Sequence, residues 1–206
     1  MSIKFGTDGW RAVIAEDFTF ANLDRVTQAT ADYWSDHPVA GAERKVIVGY
    51  DRRFFSDQFG RRAAEVFAGN GFEVVLTPDP TPTPSVSFAV KHQRAMGGVM
   101  ITASHNPPSF NGFKLKSDYG GSSESSTCQA VESYLDRNLV RSLALVEAVK
   151  AKSIAIKNVR PAHYAALKKL VDFKLVAKSR LRFAHDALFG VGEAASRNCW
   201  PARPAK

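Results

Sequence analysis

The sequence predicts an α/β protein: a mixed, mostly parallel sheet with helices on both faces, followed by the start of a second, incomplete α/β unit. Two observations predict it. Short apolar runs of strand type alternate with longer segments whose apolar residues recur at helical spacing. One of those runs, ending at Thr102, passes through a proline-stiffened loop into a return strand, which brings in an antiparallel neighbour. The composition agrees, with 45% apolar and 23% charged residues and 14 Phe to fill a core.

Arg11–Ile14 is the first strand candidate. Thr19 has the residue type of an N-cap, and Phe20, Leu23, Val26, Thr30, Tyr33 and Trp34 then fall on one helical face. Lys45–Tyr50 is a buried-type strand that runs into Asp51-Arg52-Arg53. Ser56 is expected to cap a second helix with Phe59, Ala63, Val66 and Phe67 inward, closed by Gly71. Phe72–Leu76 is the next strand. Pro78, Pro80, Pro82 and Pro84 then enforce an extended segment, because proline neither donates to a ladder nor continues a helix. A short helix is predicted over 85–94, a strand over Gly98–Thr102, a return strand over Phe113–Lys116 and a helix over 123–139. Such sheets present ligand-binding loops beyond the carboxyl ends of their strands. That places the Asp51 loop and the Ser104 loop on one edge.

Beyond residue 140 the pattern restarts. Residues 150–158 read as a linker or edge strand, and 161–172 as a helix with Tyr164, Leu167, Leu170 and Val171 inward. Leu181–Asp186 reads as the first strand of a new unit. An unpaired strand near 181–187 is expected to expose apolar surface. The organisation expected is therefore 1–140, 141–192 as linker and start of a second domain, and an aperiodic, disordered tail over 193–206.

Charge is uneven. Residues 1–136 hold 13 Lys+Arg against 16 Asp+Glu, and residues 137–206 hold 15 against 4. The excess suits an acidic partner domain or plain solvation better than nucleic acid, because the basic residues are not interleaved with a stacking platform. No apolar run reaches the roughly 18 to 20 residues that span a bilayer, and the first residues lack an apolar signal region. A cytoplasmic protein with no membrane partner is expected. There Cys128 and Cys199 are expected to be free thiols.

The segment Ser104-His105-Asn106-Pro107-Pro108 leaves a buried strand and enters a loop with two prolines. A hydroxyl held there suits a group that is attacked or carries a phosphoryl. The same residue types also make an ordinary strand-ending turn, and the residues alone leave both readings open. No Gly-x-Ser-x-Gly elbow is present, which counts against an esterase.

Thr102-Ala103-Ser104-His105-Asn106-Pro107-Pro108, with Asn111-Gly112-Phe113-Lys114 after it, resembles the phosphoserine loop of the α-D-phosphohexomutases, the superfamily of phosphoglucomutases and phosphomannomutases. Phe5-Gly6-Thr7-Asp8-Gly9-Trp10-Arg11 is similar to that family's N-terminal signature, and Gly49-Tyr50-Asp51-Arg52-Arg53 fits its second-strand loop. The resemblance covers residues 1–192. It implies a 1-phosphate to 6-phosphate shift on a hexose phosphate, by way of a phosphoserine and a hexose 1,6-bisphosphate that also serves as activator. It implies Ser104 as the phosphorylated residue, Lys114 as general acid/base, Arg11 as phosphoryl stabiliser and His105 as a polar group near the reacting oxygens. Asn106 and Asn111 would shape the loop, Thr7 and Gly9 the turn before Arg11, and Arg53 would support the loop. On the residues alone, Lys114 reads first as an ordinary edge-strand lysine, and His105 reads nearly as well as a turn hydrogen-bonder.

The resemblance also implies Mg2+, held by an acidic loop in a second domain. After residue 136 this chain has only Glu147, Asp172, Asp186 and Glu193, so the expected metal contribution is one phosphate oxygen on Ser104. Asp186–Gly192 resembles the start of that second domain, and from Glu193 the resemblance stops. The expectation is a truncated or frameshifted mutase that is inactive alone. The alternatives are a non-catalytic binding module with a basic C-terminal third, and one half of a split enzyme whose missing domains come in trans.

Overall fold

Local chemistry sets the first helix. In the computed structural model, which describes residues 3–179 and 184–192, the Thr19 hydroxyl accepts from the Asn22 amide at 3.2 Å. That satisfies one of the donors every helix start leaves over. The helix α1 (Phe20–Asp36) follows strand β1 (Gly9–Val13). Its Leu23, Val26 and Trp34 are buried. The chain continues through β2 (Glu43–Tyr50), α2 (Ser56–Gly69), β3 (Glu73–Leu76), α3 (Thr83–His92), β4 (Ala95–Ile101) and β5 (Phe110–Ser117).

The sheet has the order β1-β5-β4-β2-β3-β6, where β6 (Ile154–Ile156) comes late in the chain. β2 pairs in parallel with β3 and β4, and β3 with β6. The expected return strand is antiparallel to both its neighbours, β4 and β1. The sheet is thus mixed, as predicted. One face is packed by α1 and α2, with Cys128 and Val131 of α4 (Ser125–Glu132) and Ala148 of α5 (Leu145–Lys150) joining the same cluster. The other face is packed by Val86, Ala89 and Val90 of α3, with Val159 just before α6 (Arg160–Leu170). On the first face Trp34 lies so close to β4 that a Cβ on Gly97 would come within 2.5 Å of its ring.

Three expectations need correction. Ser56 does not cap α2. Phe55, in a left-handed conformation, precedes the helix, and the Ser56 hydroxyl donates to Asp51 Oδ1 at 2.8 Å. The helix expected over 123–139 stops at Glu132. The chain then turns, with Asp136 at φ 61° and its carboxylate gripped by Arg25 at 2.6 and 2.7 Å. In α6 only Tyr164 is buried, while Leu170 is 82% and Val171 40% exposed. This helix rests on α3 by one shoulder, and its far end reaches no core. The segment 150–158, expected as a linker or edge strand, supplies β6 at the edge of the sheet.

A short helix α7 (Phe173–Lys178) follows α6 and buries no side chain. Of the strand expected over 181–187, residues 181–183 lie outside the described residues, and 184–187 have no regular structure. The tail over 193–206, with Cys199, also lies outside them. Cys128 is buried as a free thiol. Among the described residues no helix is long and apolar enough to cross a membrane.

Candidate functional site

β4 ends at Ile101, and the chain leaves the sheet between two buried residues, Thr102 and Ala103. Ser104 is the first exposed residue. Its φ is 56°, a left-handed conformation that costs a non-glycine residue on the order of 1 to 3 kcal/mol and persists only where the surroundings enforce it. The enforcement is visible. The Thr102 hydroxyl accepts from the Ser104 amide at 3.1 Å. The Asn106 amide donates to the Ala103 carbonyl at 3.1 Å.

The main brace is Arg53. Its guanidinium donates to the carbonyls of Ser104 at 3.0 Å, Asn106 at 2.7 Å, Pro107 at 2.7 Å and Phe110 at 2.9 Å. Asp51 holds the guanidinium from behind at 3.5 Å and accepts from the Arg53 amide at 2.9 Å. A rigid fork of five donors suits this task in a way a lysine does not. The Asp51 loop therefore sets the shape of the Ser104 loop.

Asn111 lies on the opposite side of β5 from the catalytic candidates. It is fully buried, donates to Ser56 Oγ at 2.9 Å and accepts from the Gly112 amide. It ties β5 to the start of α2 and shapes the loop from below. Thr7 is exposed, and its carbonyl faces α4, where Ser125 Oγ donates at 3.5 Å. His105 stands exposed on the loop.

The charged groups converge through a residue that sequence reasoning left unassigned. Asp8 accepts from Lys114 Nζ at 2.7 Å with one oxygen and from Arg11 at 3.2 Å with the other. The other end of the Arg11 guanidinium donates to Asn106 Oδ1 at 3.0 Å. Asn106, Arg11, Asp8 and Lys114 thus form one chain from the serine loop to β5. Register explains it: Gly9 stands opposite Lys114 and Arg11 opposite Gly112, so Arg11 and Lys114 share one face of the sheet. Gly9 makes the approach possible. Its φ is 146°, and a Cβ there would lie 2.2 Å from the Phe113 carbonyl oxygen. Burial pushes the Asp8 carboxyl up, but the Lys114 hydrogen bond and charge, with the Arg11 charge, outweigh it and hold it below its ordinary 3.8. The only signal of this role in the sequence is the acid's place inside Gly6–Arg11. A cleft of about 360 Å³ runs along that segment, lined by Asp8 and Arg11 among others.

Residues 2–141 match the family model described as phosphoglucomutase/phosphomannomutase, alpha/beta/alpha domain I. The chain belongs to the phosphoglucomutase/phosphomannomutase family. Relatives of this family span several sugars. A phosphoglucomutase of Staphylococcus saprophyticus is 36% identical over 122 residues, covering 58% of this chain and 22% of that protein. A phosphopentomutase of Mus musculus is 30% identical over 205 residues, covering 92% of this chain and 33% of that protein. A solved structure from Thermus thermophilus, assigned as a phosphomannomutase, shares 37% identity with a TM-score of 0.75 and covers 86% of this chain and 38% of that one. The chain spans about a fifth to a third of the length of these curated relatives. Among the described residues, no group of three His, Cys, Asp or Glu side chains could hold a metal ion. The described residues therefore do not fit a magnesium cage.

Proposed function

We propose that this chain is the phosphoryl-carrying part of a sugar-phosphate mutase, with Ser104 as the residue that carries the phosphoryl group. The observation behind the reading is the braced serine. An exposed hydroxyl sits in a strained loop held by Arg53, and Arg11 links that loop to the Lys114–Asp8 pair. Phosphoryl transfer asks a protein chiefly for positioning and charge neutralisation, and these groups supply both.

In the proposed cycle a sugar 1,6-bisphosphate first phosphorylates Ser104. When the phosphoryl passes to a sugar monophosphate, the P–Oγ bond breaks and a new P–O bond forms to the sugar hydroxyl. That hydroxyl loses a proton and the serine oxygen gains one. Lys114, with Asp8 beside it, is the group proposed to move a proton at this step. Arg11 offsets phosphoryl charge. His105 is proposed to bond the reacting oxygens, and Arg53 holds the loop without touching substrate. A hexose phosphate is the first choice of substrate, and the phosphopentomutase relatives bring pentose phosphates into the same class. Magnesium would take one oxygen of the serine phosphate, with its remaining ligands from outside the described residues. The chain alone is proposed to turn over little, because the distal phosphate and the sugar need contacts that these residues do not supply.

The test is to incubate the chain with glucose 1,6-bisphosphate and map phosphorylation by peptide mass spectrometry. Phosphate on Ser104, absent in Ser104→Ala, supports the reading. Phosphate elsewhere, or none in a folded protein, overturns it. A coupled glucose 1-phosphate assay showing normal turnover would overturn the claim of low activity.

A further inference from the structure

Two residues along β5 from Lys114 lies a second lysine on the same face of the sheet: Lys114 stands opposite Met100 of β4, and Lys116 opposite Gly98. Lys116 is 6% exposed. Among the described residues its Nζ has one hydrogen-bond partner, the Ser122 hydroxyl at 3.3 Å, and no carboxylate. The ammonium has three donors, so this is a sparse environment for a buried charge. Asp8 makes no hydrogen bond to it, and its two oxygens accept from Lys114 and Arg11 instead.

We propose that Lys116 is a positioning residue whose buried ammonium, two residues along β5 on the same face as Lys114, acts as a like charge on the Lys114–Asp8 pair. The inference rests on the role proposed above for Lys114. A general acid/base works best when its proton is neither too tightly nor too loosely held. A like charge in a poorly solvated place loosens it without touching substrate.

Several other charged groups sit on the elements around Lys116. Arg11 lies on β1, Lys91 and His92 lie at the end of α3, and Asp118 and Glu124 lie in the connection to α4. Burial lowers the Lys116 proton affinity most, the Lys114 charge lowers it further, and Asp8 opposes both. Coupling between two sites is reciprocal.

The experiment is an NMR titration of the chain carrying 13Cε-lysine. The Lys116 signal is assigned by its loss in Lys116→Met. The Lys116 midpoint is expected below that of the exposed lysines. It should rise in Lys114→Met and fall in Asp8→Asn. Ser122→Ala, a change at the turn that leaves the pair intact, should lower it further and serves if Lys114→Met fails to fold. A Lys116 midpoint equal to that of exposed lysines, or one unmoved in folded Lys114→Met or in Ser122→Ala, overturns the inference. Phosphate mapping on Ser104 is independent of this titration, so failure of the mutase reading and failure of the coupling are distinguishable.

Discussion

Lys114 Nζ and Asp8 Oδ2 meet at 2.7 Å although 106 residues separate them in the chain. The antiparallel register of β1 and β5 brings them together, and Arg11 completes the contact from the neighbouring position on β1. Stability should report this pair through pH. Asp8 holds its proton more weakly in the folded protein than its ordinary 3.8. A depressed carboxyl stabilises the fold above its unfolded value, and that stabilisation disappears as pH falls through the folded value. Wild type should therefore exceed Asp8→Asn in urea midpoint near neutral pH. The gap should close as pH is lowered below the ordinary carboxylate range. A gap that stayed constant down to strongly acid pH would remove the pair from the account.

Arg53→Ala should free the serine loop. Four carbonyls lose a charged donor, and Ser104 loses what keeps it at φ 56°. The expected cost is about 1 to 3 kcal/mol by urea unfolding, with new fast motion at 104–110 in amide relaxation. Arg53→Lys should resemble the alanine variant, because one ammonium cannot reproduce the fork.

Gly9→Ala should be severe. The left-handed φ and a backbone oxygen 2.2 Å from the new Cβ leave no side-chain adjustment that relieves it. A loss of about 3 kcal/mol or more, or no soluble folded protein, is expected. A near-wild-type thermal midpoint would show that the β1–β5 approach is looser than described.

Cys128 should be a sluggish thiol. Burial first, and the Asp8 charge second, push it up to about 11. In a Cys199→Ser protein, an aromatic disulfide reagent at pH 8 should react with Cys128 roughly 100-fold or more slowly than with a free cysteine. Full reactivity should return in denaturant. Rapid reaction in the folded state would show that α4 opens readily.

Much of the fold was legible because its signals are local. Thr19 caps α1 as its type and position suggested, and the alternation of periodicities located most of the helices and strands that build the sheet. The site was half legible. Ser104, Arg11, Lys114 and Arg53 lie on segments with a recognisable pattern. Asp8 was not assigned, since its partner Lys114 comes from a strand more than a hundred residues away, and no spacing rule reaches that far. Ser56 misled for a related reason. A serine before a helix looks like a cap until Asp51 accepts its hydroxyl hydrogen. Lys116 drew no role, because burial of a charged group is a property of the neighbours, not of its own segment.

The edge strand β6 has a consequence for how this chain is made. Val74 of β3 pairs with Ile154, so its outer edge has no strand to bond until eighty further residues have been joined. At about 5 to 20 residues per second, a nascent chain carries that apolar edge open for roughly 4 to 16 seconds. Ribosome-bound factors that shield exposed strands would act in that interval. A synonymous change that slows translation between residues 76 and 154 should lower soluble yield without altering the finished protein.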